Sequence, residues 1–267
     1  MIARLLFYLL GSYAFIVAAM YMLQRHLQYF PDTASPGVPA DSGLQDTEAL
    51  TVQTADGLEN VAWFMPPKEK DGHIIVMFHG NAGHIGHRNL KARHFWAQGY
   101  GVFMCEYRGF GGNKGKPSEE GFYADARACL ARLEADGYSA SQFVLYGESI
   151  GTGVAVQMAL EIQPKWLVLE APFASAADVA KLKYFWLPVD VLLKDRYDSI
   201  KKIGDVRSSL LIMHGDEDMV IPQSQGKKLF EAANHPKEFA SILGAGHADL
   251  YDFYAGYVVT DWLEKKE

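Results

Sequence analysis

Hydrophobic and polar positions fall into three regimes along the chain. Residues 5–23, "LLFYLLGSYAFIVAAMYML", carry no charge. That is about the length an α-helix needs to cross a hydrocarbon core. The following stretch, "QYFPDTASPGVPADSGLQ", is rich in Pro, Gly, Ser and Asp, the composition of a linker. From Glu48 the pattern becomes periodic. "EALTVQTADGLENVAWFMPP" alternates around Asp56-Gly57, which predicts a β-hairpin. Short apolar runs then recur at 74–78, 102–106, 143–146, 166–170, 210–213 and 239–243, separated by amphipathic helical segments. Such runs predict a mostly parallel sheet with helices covering both faces.

The first regime reads as an uncleaved membrane anchor over residues 1–25. Signal-peptide apolar regions are shorter, and "VAAMYM" is a poor cleavage site. Arg4 and the amino terminus flank one end, Arg25 and His26 the other, so flanking charge assigns no side of the membrane. Residues 26–47 read as the linker and 48–267 as one catalytic domain. Within that domain, 172–208 separates two strands by more than an ordinary connection. It holds "KLKYFWLPVDVLLKDRY", aromatic and amphipathic, which reads either as a small cap over the sheet's C-terminal edge or as a crossover helix with a long loop.

Composition narrows the class. The chain has 267 residues, 49% hydrophobic and 21% charged, which suits one large α/β domain with a sizeable core. A net charge of -7, without a basic cluster interleaved with aromatics, gives no expectation of a nucleic-acid partner. Cys105 and Cys129 have no CxxC partner and read as buried free thiols. Nothing in the sequence fixes an oligomeric state.

Candidate chemistry centres on Gly147-Glu148-Ser149-Ile150-Gly151, a G-x-S-x-G between an apolar strand and an apolar helix. A sharp strand-to-helix turn strains the residue at its apex and leaves no room for side chains two positions before and after. Ser149 is therefore lifted above the sheet as a nucleophile, and Gly153 is expected to let the helix pack closely on the sheet. A serine hydroxyl needs a base, and acid and histidine should follow later strands in that order. His247 in "GAGH" is the base; His214, at a strand's own end, is a poorer one. Asp218 in "HGDEDMVIP" is the acid, while Asp216 suits loop capping. The oxyanion donors are the backbone N–H of Ile150, after the nucleophile, and of Asn81 in His79-Gly80-Asn81-Ala82-Gly83. Arg108 reads as a loop anchor and Ser118 as a helix cap. His79, His84, His87 and His94 lack the spacing of a metal motif. The reading calls for no cofactor and no metal.

"HGNAGHIGHR", "EYRGFGGNKGKPSEEG", "YGESIGTG", "HGDEDMVIP" and "GAGH", in this order from about Glu48 to the end, resemble the membrane-anchored, serine-aminopeptidase-like branch of the α/β-hydrolases. That branch includes the bud-emergence-type proteins. The anchor with "QRHLQYFPD" resembles it too. Two positions depart from its pattern: Ile150 stands where leucine or methionine is frequent, and His84 where asparagine is. The resemblance implies an α/β-hydrolase fold, a mostly parallel central sheet with helices on both faces behind an N-terminal transmembrane helix. It also implies the acid at Asp218. Together these readings describe a serine hydrolase of acyl esters or thioesters acting on a small-molecule or lipid acyl substrate. A serine peptidase and a catalytically idle scaffold are the alternatives.

Overall fold

A computed structural model describes residues 1–265. Its centre is an eight-stranded sheet: β1 (Glu48–Gln53), β2 (Glu59–Met65), β3 (Ile74–Phe78), β4 (Gly101–Cys105), β5 (Phe143–Glu148), β6 (Trp166–Glu170), β7 (Ser209–Gly215) and β8 (Lys237–Ile242). The spatial order is β8-β7-β6-β5-β3-β4-β2-β1. The pairs from β8 through β4 are parallel; β2 joins β4 antiparallel, and β1 joins β2 as the predicted hairpin. Every apolar run read from the sequence is a strand here. The last begins two residues earlier than its apolar pattern, at Lys237, which pairs with Leu210. Pairing with a neighbour decides a strand's ends, and hydrophobic patterning cannot register it.

Helices α2 (Asn89–Ala97), α3 (Glu119–Ala135), α4 (Ile150–Ile162), α7 (Gln223–Ala232) and α8 (Ala255–Glu264) cover the sheet. Side chains alternate across it. On β3, Val76 and Phe78 enter a core shared with Val154 of α4 and Leu130 of α3. Ile75 and Met77 enter the other, with Phe95 of α2 and Trp262 of α8. Two cores on one sheet leave its C-terminal edge as the place where loops converge, the usual site for ligands in parallel α/β folds.

Two further helices, α5 (Ala176–Lys183) and α6 (Val189–Leu192), lie in the insert between β6 and β7. The first helix, α1 (Ile2–Gln28), is long and apolar enough to cross a membrane, and its apolar run is exposed. It runs past the uncharged segment, and its last turns pack on the insert. The stretch after it is no free tether. Tyr29 and Leu44 are buried, and Phe30–Pro31 pairs in parallel with Ala82–Gly83. Its Pro and Gly residues shape a path across the domain surface, held by apolar residues that the polar composition masks.

Candidate active site

Ser149 stands between β5 and α4 with φ 52° and ψ −116°. A non-glycine residue there stores strain on the order of 1–3 kcal/mol, held by its surroundings. Those surroundings explain the flanking glycines. A Cβ on Gly147 would lie 2.6 Å from the Gly151 carbonyl oxygen, and one on Gly151 would lie 2.0 Å from that of Phe78. The turn is thus wedged against the end of β3. Gly153 has a different reason from the one expected. A Cβ there would meet the Tyr197 ring at 2.6 Å, so this glycine makes room for the insert rather than the sheet.

Ser149 Oγ lies 3.0 Å from His247 Nε2, and His247 Nδ1 lies 2.7 Å from Asp218 Oδ2. Asp218 is buried, and its other oxygen accepts from the Val220 and Ile221 N–H groups, both at 2.8 Å. Burial alone would raise its carboxyl pKa. Hydrogen bonds from His214 and His247 outweigh burial and hold it well below the usual carboxylate range. Asp216 points elsewhere and accepts from the Gly244 N–H at 2.7 Å, tying its loop down. His214 is fully buried, with Nε2 2.8 Å from the Ile221 carbonyl oxygen, out of reach of a substrate.

Asn81 and Ile150 line the same cavity as Ser149 and His247. The Asn81 loop is fixed from two sides. Its side-chain Nδ2 donates to the Gln28 carbonyl at 2.8 Å, and its carbonyl accepts from the Phe30 N–H at 2.9 Å. Underneath, the buried Glu106 carboxylate meets His79 Nε2 at 2.8 Å and accepts from the Ile85 N–H at 2.8 Å. In the sequence Glu106 reads as the end of a strand and the head of the "EYRGFGG" motif, with no sign of these contacts; its partners lie a crossover away.

A second polar cluster, which sequence spacing does not reveal, sits beside the elbow, the sharp turn from β5 into α4 that carries Ser149. Glu148, the residue before Ser149, meets Arg88 Nη2 at 2.8 Å and Lys91 Nζ at 2.7 Å; Lys91 also meets Glu170 at 2.7 Å. Tyr146 donates to Glu170 and contacts the Tyr251 hydroxyl. Burial pushes the Glu148 carboxyl up, but the Lys91 and Arg88 charges win and keep it ionised. Arg108 and Ser118 are architectural. Arg108 bridges Asp56 and Asp125, each at 2.8 Å, and Ser118 accepts from the Gly121 N–H.

Histidines expected to stay apart from metal chemistry do cluster. Asp32, His84 and His87 bring donor atoms within 4.8 Å of one another. Asp32 comes from the supposed linker, so spacing could not reveal it. The hydrogen bonds oppose a cation. His84 Nδ1 accepts from the Gly86 N–H and His87 Nδ1 from the His84 N–H. A neutral ring accepting at Nδ1 carries its proton on Nε2, the nitrogen left to face a metal.

The cavity above Ser149 measures about 470 Å³, the size of a small-molecule site. Its walls are mostly apolar, with Gln24, Gln28 and Lys183 among them, and come from α1 on one side and the insert on the other.

Comparison with known proteins fits this architecture. The model of the serine aminopeptidase S33 family matches residues 69–198. An uncharacterized protein of Mycobacterium tuberculosis is 36% identical over 94% of this chain and 89% of its own length. Human alpha/beta hydrolase domain-containing protein 17B is 30% identical, over 79% of this chain and 72% of its own. The lysophosphatidylserine lipase ABHD12 of Danio rerio is 27% identical over 93% and 79%. An esterase of Pyrococcus furiosus superposes with a TM-score of 0.70 at 16% identity, over 89% of this chain and 98% of the other, a likeness of fold alone. A sheet with this strand order, the wedged serine turn and relatives that match most of both chains lead to one conclusion: the chain belongs to the α/β-hydrolase superfamily, a family of hydrolases.

Proposed function

We propose that the chain is a membrane-anchored serine hydrolase that cleaves acyl esters or thioesters. The observation that carries this reading is the relay from Ser149 through His247 to Asp218 at the floor of an apolar cavity. Ser149 Oγ attacks the acyl carbonyl carbon while His247 Nε2 takes its proton. The carbonyl electrons move onto oxygen, facing the Asn81 and Ile150 N–H groups; a donor of that kind contributes about 2.7–4 kcal/mol to lowering the barrier. The bond to the alcohol or thiol then breaks, and His247 protonates the leaving group. Water, deprotonated by His247, releases the acid and restores Ser149. Asp218 keeps the imidazole in the tautomer that presents Nε2 to the serine. No step requires a cofactor.

The lining favours esters over aminopeptidase substrates. A free α-amino group needs a carboxylate to meet it, and none of the described residues lining the cavity is Asp or Glu. The lipase named among the relatives supports a lipid acyl group as substrate. The apolar α1, uncharged over residues 5–23, supports attachment to the membrane.

The test is fluorophosphonate labelling of the full chain, followed by turnover of a series of p-nitrophenyl esters and aminoacyl anilides. Wild type should label and cleave esters, and Ser149→Ala should do neither while melting at the same temperature. Preferred cleavage of the anilides would favour the peptidase reading, and no turnover at all the idle scaffold.

A further inference from the structure

The first helix does more than tether. Met20, Gln24 and Leu27, one face of α1 by helical spacing, line the same cavity as Ser149 and His247. Val179, Leu187 and Leu192 of the insert form the facing wall. The seam between the walls is specific. Arg25 makes a two-point contact with Asp195, at 2.7 and 3.0 Å, and Asp195 is buried. The Gln24 side chain donates to the Leu192 carbonyl at 3.1 Å and accepts from the Lys194 N–H at 2.7 Å. Gln24 is the buried residue of α1, and it is bonded on both sides.

The insert also climbs the helix. The Tyr13 hydroxyl donates to the Trp186 carbonyl at 3.0 Å. From Gln24 to Tyr13 the helix rises about 16 Å, close to the depth of one leaflet's hydrocarbon. Around Trp186, the large apolar side chains of Leu182, Phe185 and Val191 are 57%, 83% and 83% exposed. An exposed apolar tip is costly in water and favourable in a bilayer. Because the tip is bonded to the middle of the apolar run, a helix that spans the membrane carries the tip into the same leaflet.

We infer that α1 and the insert together form an acyl-chain site that opens into one leaflet, so that a long-chain lipid ester reaches Ser149 sideways from the bilayer. This rests on the hydrolase reading above. The membrane helix then determines chain-length selectivity. A long chain lies between Leu27 and the insert; a short one needs only the floor near Ser149.

The experiment uses the full chain in phosphatidylcholine vesicles and compares kcat/KM for p-nitrophenyl palmitate and butyrate. Leu27→Trp fills the site from the helix side and Val179→Trp from the insert side. Each should lower the palmitate-to-butyrate ratio by about tenfold or more, as filling an apolar pocket does. Met22→Trp, on the same helix but outside the cavity lining, should keep the wild-type ratio. Fluorophosphonate labelling of each variant checks that the elbow is folded, and either wall variant that labels suffices. An unchanged ratio in the wall variants, or an equal shift in Met22→Trp, overturns the inference while leaving the hydrolase reading intact. Wild type that neither labels nor cleaves butyrate overturns both.

Discussion

The floor and the roof of the cavity are built on different principles. The floor is the sheet's C-terminal edge, where the serine turn is wedged by backbone contacts and flanked by a partly buried ion pair at Glu148 and the buried Asp218 carboxylate hydrogen-bonded to His247. Small displacements there meet other backbone atoms, so the geometry is stiff. The roof is a seam between two segments 170 residues apart in sequence, joined by Arg25–Asp195 and a few hydrogen bonds. Such a seam is open to adjustment. Under the proposed hydrolase reading, the difference assigns chemistry to the precise groups of the stiff part and substrate shape to the adaptable one.

The sharpest break of this comparison comes at the floor. Asp218→Asn should lower kcat by about 10⁴ with little change in melting temperature, because an amide donor turns the imidazole to the wrong tautomer. Asp216→Asn, whose carboxylate only ties down the Gly244 N–H, should stay near wild type. Ester hydrolysis at neutral pH reads both; if their behaviours were exchanged, the acid would be Asp216.

Next in size is the partly buried cluster beside the elbow, in which Glu170 is fully enclosed. Lys91→Met leaves Glu148 and Glu170 facing each other with one shared cation gone. Losing one partner of a buried pair costs about 3–5 kcal/mol. Chemical denaturation should show that loss. A variant as stable as wild type would mean that the two carboxylates share a proton once Lys91 is gone.

At the roof, Asp195→Asn should cost less, about 1–3 kcal/mol, since an amide keeps some bonds to Arg25 while losing the charge. Its signature is kinetic. KM for long-chain esters should rise while kcat on short ones holds, because the seam moves and the floor does not. A drop in kcat equal for all chain lengths would make the roof as rigid as the floor.

The smallest effect lies in the β1–β2 hairpin turn, at one side of the sheet. Asp56 bonds Arg108 and Thr54 at the hairpin turn, and mainly the Arg108 hydrogen bond lowers its pKa to about 2. A depressed carboxyl stabilises the fold above its unfolded pKa, near 3.8, and loses that contribution as pH falls toward 2. The pair is half exposed on the Asp56 side, so Asp56→Asn should cost under about 1 kcal/mol. The melting-temperature gap to wild type should be full at pH 6 and shrink between about pH 4 and pH 2. A gap that widened on acidification would contradict the sign of the shift.

The sequence by itself determined the sheet and the order of groups along its edge. Apolar runs of strand length, the Asp56-Gly57 hairpin and a serine between obligatory glycines are local patterns, set by two- and 3.6-residue periodicities and by backbone sterics within a few positions. They place Ser149, Asp218 and His247 after β5, β7 and β8 of one parallel run of strands, at the same edge, which is why these side chains meet. Only the tertiary structure decided the rest. It put Tyr197 in the space left by Gly153, Glu106 beneath the Asn81 loop, and Lys91 between two carboxylates. Above all it turned an apparent tether into a cavity wall, because Arg25 and Asp195, 170 residues apart, carry no mark of each other in the chain. A periodicity records which face of an element is apolar; which distant surface covers that face is settled only when the elements pack.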